Sequence, residues 1–353
     1  MTGAGALVPL ASTEVNRAAA VEPSAPDTPE TEGGGPGRIE NLTDYIEDPS
    51  VFAQHREPTH TTPTVPYESA ETARRADEPF TAFEERFAES AYFELLNGDW
   101  EFAFYERPDE RPSTHDETEW EDITVPRPWQ VEGYGQYIYT NWQETWVNYD
   151  PPLEGDLVPG DDGTVDIPDI NPTGTYRRTF DVPEDWDGRE TFLHFEGVKQ
   201  AYFVWVDGEY VGFQQGSMTP GEFDITDHVT SGEEHRLTVQ VYRFSDGEAM
   251  ETIDMFRYSG IYRSVYLFSM PKVHVRDFDV ESGLDDEYED GHLRVTAELA
   301  NYGGPCGRYE VRGTLYEPED DDEGSASVDC GDGRGPKKVE LSGATASIPT
   351  AGW

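Results

Sequence analysis

From Tyr92 onward, hydrophobic and polar positions come in short alternating or wholly apolar runs separated by turn residues, the pattern of β-strands packed into sheets. In Arg236–Arg243, Leu237, Val239 and Val241 alternate with Thr238 and Gln240, so one face is buried and the other is wetter. Ala201–Val206 is apolar at both parities, which suits a strand covered on both sides. Further strands are predicted at Trp100–Tyr105, Gly174–Val182, Thr191–Phe195, Glu209–Gln214 and Ser264–Phe268. Asp207-Gly208 separates two of these runs, and Asp-Gly supplies the two φ > 0 positions of a type I′ hairpin turn. The whole is an all-β sandwich.

Pro271 closes this set, and Val273–Val280, His292–Leu299 and Tyr309–Tyr316 open a second one. What remains to Trp353 falls short of the ~100 residues of an immunoglobulin-like sandwich, so the second unit reads as incomplete. Residues 1–44 hold no Phe, Tyr or Trp and are predicted to be a disordered tail. Residues 45–91 carry sparse aromatics among prolines, as in an extended arm ordered by docking, with a short helix over Glu71–Arg75. The resulting scheme is a tail (1–44), an arm (45–91), a first domain (92–271) and a second domain (272–353). Two long connections, Asn141–Asn171 and Ser245–Gly260, interrupt the first domain. Long loops on a rigid β scaffold are candidate sites.

Charge changes the picture of partners. The 353 residues include 73 Asp+Glu and 25 Lys+Arg, a net charge of −48, which disfavours nucleic acid and anionic membranes as partners. Such acidity could signal disorder, but aromatics reach 12%, enough large side chains to build a core. The basic residues are almost all arginine: Lys199, Lys272, Lys337 and Lys338 are the lysines. A lysine-poor acidic surface suggests a halophilic protein in a salt-rich cytoplasm, where screening is strong. No apolar run approaches the ~18 residues of a membrane span, and Gly5–Ala11 lacks the basic flank of a signal peptide. Cytoplasmic localisation is expected. Cys306 and Cys330 lack CxxC spacing and fit either a disulfide or two free thiols, with free thiols favoured.

Eight segments then follow in order: Leu95-Leu-Asn-Gly-Asp-Trp-Glu-Phe-Ala-Phe104, Val125-Pro-Arg-Pro-Trp-Gln130, Tyr137-Ile-Tyr-Thr-Asn141, Asn171-Pro-Thr-Gly-Thr-Tyr176, Phe195-Glu-Gly-Val198, Asp224-Ile-Thr-Asp227, Ser245-Asp-Gly247 and Asp254-Met-Phe-Arg-Tyr-Ser-Gly-Ile-Tyr-Arg263. Together they resemble the N-terminal half of β-galactosidases of glycoside hydrolase family 2, and Gln54-His-Arg-Glu-Pro-Thr-His60 resembles the arm preceding that family's first domain. The resemblance implies a jelly-roll sugar-binding domain, an immunoglobulin-like domain and a (β/α)₈ barrel, with tetramers in the best-known members. It also implies retaining hydrolysis by two glutamates about 5–5.5 Å apart, both in the barrel. A barrel needs ~250 residues. The family's acid/base glutamate follows an asparagine, and no Asn-Glu dipeptide occurs here. No catalytic residue is therefore expected in this chain, which should be inactive alone.

Two family positions outside the barrel reach its substrate pocket, and both are matched. By resemblance, Asn141 hydrogen-bonds the galactosyl group, and Asp246 contacts a galactosyl hydroxyl and a sodium ion. Magnesium is implied by the family only, its ligands being absent from this sequence. By residue type alone, Asn and Asp before Gly are common turn formers. Trp129, Trp142 and Trp146 could stack on sugars or serve as core and rim anchors. Arg257 and Arg263 are expected to brace the Asp246 loop. Pro126-Arg-Pro-Trp129 departs from the family's serine-asparagine pair before Trp. His55 and His60 are expected at the surface, Asp320-Asp-Asp-Glu323 as a solvated loop, and Gly331–Lys338 as no phosphate loop. The expected partners are β-galactosides, a homo-oligomer, and in an alternative reading a separate barrel polypeptide. That alternative makes the chain a stand-alone carbohydrate-binding module or a complementing fragment; a third reading is a truncated, non-functional product.

Overall fold

A computed structural model of the chain describes residues 43–60, 64–76, 87–111, 119–251, 253–284, 286, 291–303, 308–316, 321–329 and 337–341. The predicted tail up to residue 42, both cysteines, Asp320 and residues 331–336 lie outside these.

Seven antiparallel strands form one sheet in the order Ala53–Gln54, Glu209–Gln214, Ala201–Val206, Glu234–Tyr242, Thr173–Asp181, Gly98–Tyr105 and Glu121–Val125. A second sheet runs Gly221–Asp224, Glu190–Phe195, Val265–Met270 and Phe93–Leu95. Between them lies the main core, including Trp100, Phe102, Tyr176, Phe195, Val239 and Leu267. The central strand Glu234–Tyr242 pairs on both sides, with Val239 opposite Tyr176 and opposite Val204. This is the all-β sandwich that the alternation predicts.

The unbroken apolar run Ala201–Val206 now has its cause. Tyr202, Val204 and Val206 face the inter-sheet core. Ala201, Phe203 and Trp205 face outward, where Tyr45 and Ile46 of the helical turn Thr43–Glu47 cover them. The outer face of the four-stranded sheet is covered likewise: Phe87, Val65 and Tyr67 of the arm and Tyr302 pack on Phe192, Phe93 and Phe268. The arm is thus a second layer on both sheets, and its strand Ala53–Gln54 extends the larger one. The predicted short helix forms over Ala70–Arg75, with Ser69 capping the Thr72 amide at 3.1 Å.

The Asp207-Gly208 turn has φ of 50° and 86°, the left-handed pair a type I′ hairpin needs. Within the two large sheets the sequence pattern does not predict Ala53–Gln54, Phe93–Leu95, Glu121–Val125 and Gly221–Asp224. Each sits at or next to a sheet edge, where one ladder suffices and the side-chain pattern is too brief to read.

Past Pro271, Val273–Leu284, Gly291–Asn301 and Lys337–Leu341 make a three-stranded sheet, and Arg308–Tyr316 pairs with Asp321–Asp329. The latter corrects the expected acidic loop: Asp321–Glu323 open a strand, because a backbone ladder to Thr314–Tyr316 holds them whatever their charge. Every strand pair among the described residues is antiparallel, so they contain no (β/α)₈ barrel. Among them, no helix is long and apolar enough to cross a membrane.

Candidate functional site

The two long loops, more than 70 residues apart in sequence, form one body at one end of the sandwich. Tyr139–Thr140 pairs with Met255–Phe256 as a short ribbon, and the Arg257 amide donates to the Ile138 carbonyl at 2.8 Å. Beneath the ribbon, Ile138, Trp146, Tyr149, Val165, Ile167 and Phe244 form an apolar floor. Asn171 locks the floor to the central strand's end: its amide group donates to the Phe244 carbonyl at 3.0 Å and accepts from the Phe244 amide at 2.9 Å. Buried Arg243 donates to the Tyr149 hydroxyl at 3.0 Å, the Gln136 carbonyl at 2.9 Å and the Arg257 carbonyl at 3.2 Å.

Asp246 stands at the start of the second loop. Its amide donates to the Ile46 carbonyl at 2.7 Å, so the arm fixes its backbone. Gly247 donates to Gln215 Oε1 at 3.3 Å, and Gln215 in turn donates to the Val51 carbonyl at 3.1 Å. The carboxyl is part-buried, and its Oδ1 is shielded from solvent with no hydrogen-bond partner among the described residues. Burial pushes its pKa up to about 6. An acceptor left unmatched in this way is ready for a hydroxyl donor or a cation. Asn141 directly follows the ribbon and is exposed. The two predicted contacts thus sit on loops that the structure joins.

The three tryptophans separate. Trp129 and Trp146 are core residues, 0% and 1% exposed, whereas Trp142, next to Asn141, is 70% exposed. Arg257 does brace the loop: its guanidinium donates to the Glu251 carbonyl from a buried position. Arg263 does not. It is exposed and lies over the Tyr262 ring at 5.3 Å, because its backbone follows the Gly197 edge rather than the loop. The departure at Pro126–Trp129 leaves the segment well anchored, with Trp129 N–H on the Ser259 carbonyl at 3.0 Å and Arg127 N–H on that of Ile261 at 2.8 Å. His55 is exposed, but His60 is not a surface residue: its side chain is 9% exposed against buried Glu222, because the arm passes under the second unit.

Composition gave no hint of a polar layer under the loop. Glu248 accepts from the Thr145 amide at 2.7 Å and from Gln200 Nε2 at 3.1 Å. Glu251 accepts from the Ser217 amide and hydroxyl, both at 2.5 Å, and from Lys199 Nζ at 3.4 Å. Both carboxylates are buried. Among the described residues, no group of three His, Cys, Asp or Glu is arranged to hold a metal ion.

Residues 93–271 match the family model described as "Glycosyl hydrolases family 2, sugar binding domain", about half of the chain. The chain belongs to glycoside hydrolase family 2. Within the family, a β-galactosidase of Priestia megaterium is 38% identical over 264 residues, covering 73% of this chain and 24% of the relative. A β-galactosidase of Halalkalibacterium halodurans is 36% identical over 260 residues, covering 72% of this chain and again 24% of the relative. The chain thus spans a minor share of these family members' length. A solved β-glucuronidase of Bacteroides uniformis superposes with a TM-score of 0.53 at 19% identity, over 72% of this chain and 28% of that one, a likeness of fold.

Proposed function

We propose that this chain is the sugar-contacting, non-catalytic part of a β-galactosidase-type glycoside hydrolase, with Asn141 and Asp246 addressed to the galactosyl group. The observation that carries the reading is the shielded Asp246 Oδ1, an acceptor with no donor, on a loop fastened to the one bearing Asn141. A carboxylate accepts from sugar hydroxyls, and an amide both donates and accepts, so the pair suits a polyhydroxy ligand. In this reading, retaining hydrolysis of terminal β-galactosides draws its two glutamates from a (β/α)₈ part outside the described residues. This chain supplies orientation and no proton transfer.

Sodium fits Asp246 as one hard oxygen ligand of several, the others coming from outside the described residues; bound there it would neutralise the carboxylate and orient a sugar oxygen. Magnesium, implied by the family only, has no ligand set among the described residues. The reading also takes residues 272–353 as an immunoglobulin-like domain, the acidic surface as an adaptation to a salt-rich cytoplasm, and the assembled enzyme as a homo-oligomer.

Calorimetry of the whole chain in molar KCl, titrated with galactose and lactose, tests the reading. Weak binding is expected, abolished by Asn141→Ala and by Asp246→Ala, with no hydrolysis of a chromogenic β-galactoside. Turnover by the chain, or binding unchanged in both variants, would overturn it.

A further inference from the structure

Asn141 lies between two tethers. On its N-terminal side, Thr140 pairs with Met255 in the ribbon. On its other side the chain is held at Thr145, whose N–H lies 2.7 Å from Glu248 Oε1 and whose hydroxyl donates to the same oxygen. Glu248 belongs to the turn of Asp246 itself: it follows two residues later, and its own amide donates to the Ser245 carbonyl at 3.0 Å. One carboxylate on the Asp246 turn therefore grips the Asn141 loop from 103 residues away.

The choice of partners shows that this is not an ion pair. Glu248 is 1% exposed, yet the donors on it are neutral: Thr145 and the Gln200 amide, at 3.1 Å on Oε2. The cation of the layer, Lys199, sits instead on Glu251. A buried carboxylate satisfied by neutral donors is costly unless each is in place, so its geometry is demanding. Gln200 also reaches Glu251 at 3.4 Å, which ties the grip to the strand layer below.

We infer that Glu248 is a positioning residue of the sugar site, setting where Asn141 stands relative to Asp246. The inference rests on the reading of those two residues as galactosyl contacts. An amide at 248 keeps an acceptor for Thr145, and Gln200 Oε1, which has no partner among the described residues, can turn to receive its N–H.

The test combines hydrogen exchange over residues 141–148, galactose affinity by calorimetry and the thermal midpoint, all on the whole chain in molar KCl. In Glu248→Ala, exchange should quicken and affinity fall by roughly tenfold, the loss of hydrogen bonds to a buried charged acceptor, while Glu248→Gln stays within about threefold of wild type. Affinity unchanged in Glu248→Ala, or Glu248→Gln as damaged as Glu248→Ala, overturns the inference. If Glu248→Ala does not fold, Thr145→Val removes one donor and should weaken binding by about threefold; unchanged binding overturns it. A wild-type chain that binds no galactose sinks the reading of Asn141 and Asp246, whereas exchange at 141–148 still decides whether Glu248 holds the segment.

Discussion

His60 of the arm places its Nε2 3.2 Å from the Glu222 carboxylate, inside a buried cluster that joins three parts of the chain. His194 Nδ1 approaches the same oxygen at 2.9 Å, and Arg276, from the second unit, lies 2.5 Å from the other. Arg276 also donates to the Pro58 carbonyl at 3.0 Å, and the Tyr302 hydroxyl donates to Glu57 at 2.5 Å. The arm is therefore pinned between the sandwich and the unit that follows it.

Burial alone would raise the Glu222 pKa. Hydrogen bonds from His194 and His60, and the charges of His194 and Arg276, overcome it and hold the carboxyl well below its ordinary 4.5. A depressed acid stabilises the fold fully above its unfolded value and loses that contribution as pH falls through the folded one. Denaturant melts should thus show stability declining below pH 4.5, and Glu222→Gln should cost about 3 kcal/mol at pH 7, the loss of a buried partner. A variant as stable as wild type at pH 7 would show that the cluster contributes nothing.

Asp246 has the opposite sign. Its pKa rises from 3.8 to about 6, so the folded state holds a proton the unfolded chain has released, and stability drops as pH climbs through that window. Asp246→Asn should match wild type near pH 3.5 and exceed it at pH 8 by on the order of 1 kcal/mol, discounted because the group is partly solvated. Thermal melts at the two pH values check this. Molar sodium should shrink the difference more than molar potassium if the cation binds there.

The tryptophans give a paired test. Trp129→Ala removes a ring that is 0% exposed and should cost about 3–5 kcal/mol. Trp142, 70% exposed beside Asn141, should leave the stability within about 0.5 kcal/mol of wild type when replaced by Ala. Any loss of galactose affinity in the second variant then reports sugar contact directly.

Strand periodicity made the sandwich readable: Leu237, Val239 and Val241 face the inter-sheet core as their alternation predicts, but the other face is not wetter, since Thr238 and Gln240 are also buried, 2% and 0% exposed. Asn141 and Asp246 were legible through motif resemblance, since nothing in their own chemistry separates a site from a turn. Glu248, Glu251 and Glu222 were not. In a chain with 73 acidic residues, these three carry no signal of their own, and only burial distinguishes them. His60 was misplaced for a related reason: the polar arm gives no periodic cue that it is covered by Arg276 and Tyr302, which lie more than 200 residues away.

The last prediction concerns salt. With a net charge of −48, like charges meet even within the sheet: Glu234 stands directly opposite Asp181, and Asp181 also raises the pKa of Glu94 on the facing sheet, after burial. Glu101 likewise faces Asp122, but there Arg177 compensates with two hydrogen bonds to Glu101, at 2.6 and 2.9 Å. Among the described residues, no Lys, Arg or His forms an ion pair with Glu234 or Asp181. Directly opposed like charges destabilise a sheet by a few tenths to about 1 kcal/mol, and the Debye length falls from about 10 Å at 0.1 M salt to about 3 Å at 1 M. Wild type should therefore melt at a higher temperature in molar KCl than in dilute buffer. Asp181→Lys should stabilise the chain by about 0.5–1 kcal/mol in dilute buffer and by much less in molar salt. Equal gains at both salt concentrations would mean that the substitution acts through packing, and that self-repulsion is not what limits this fold.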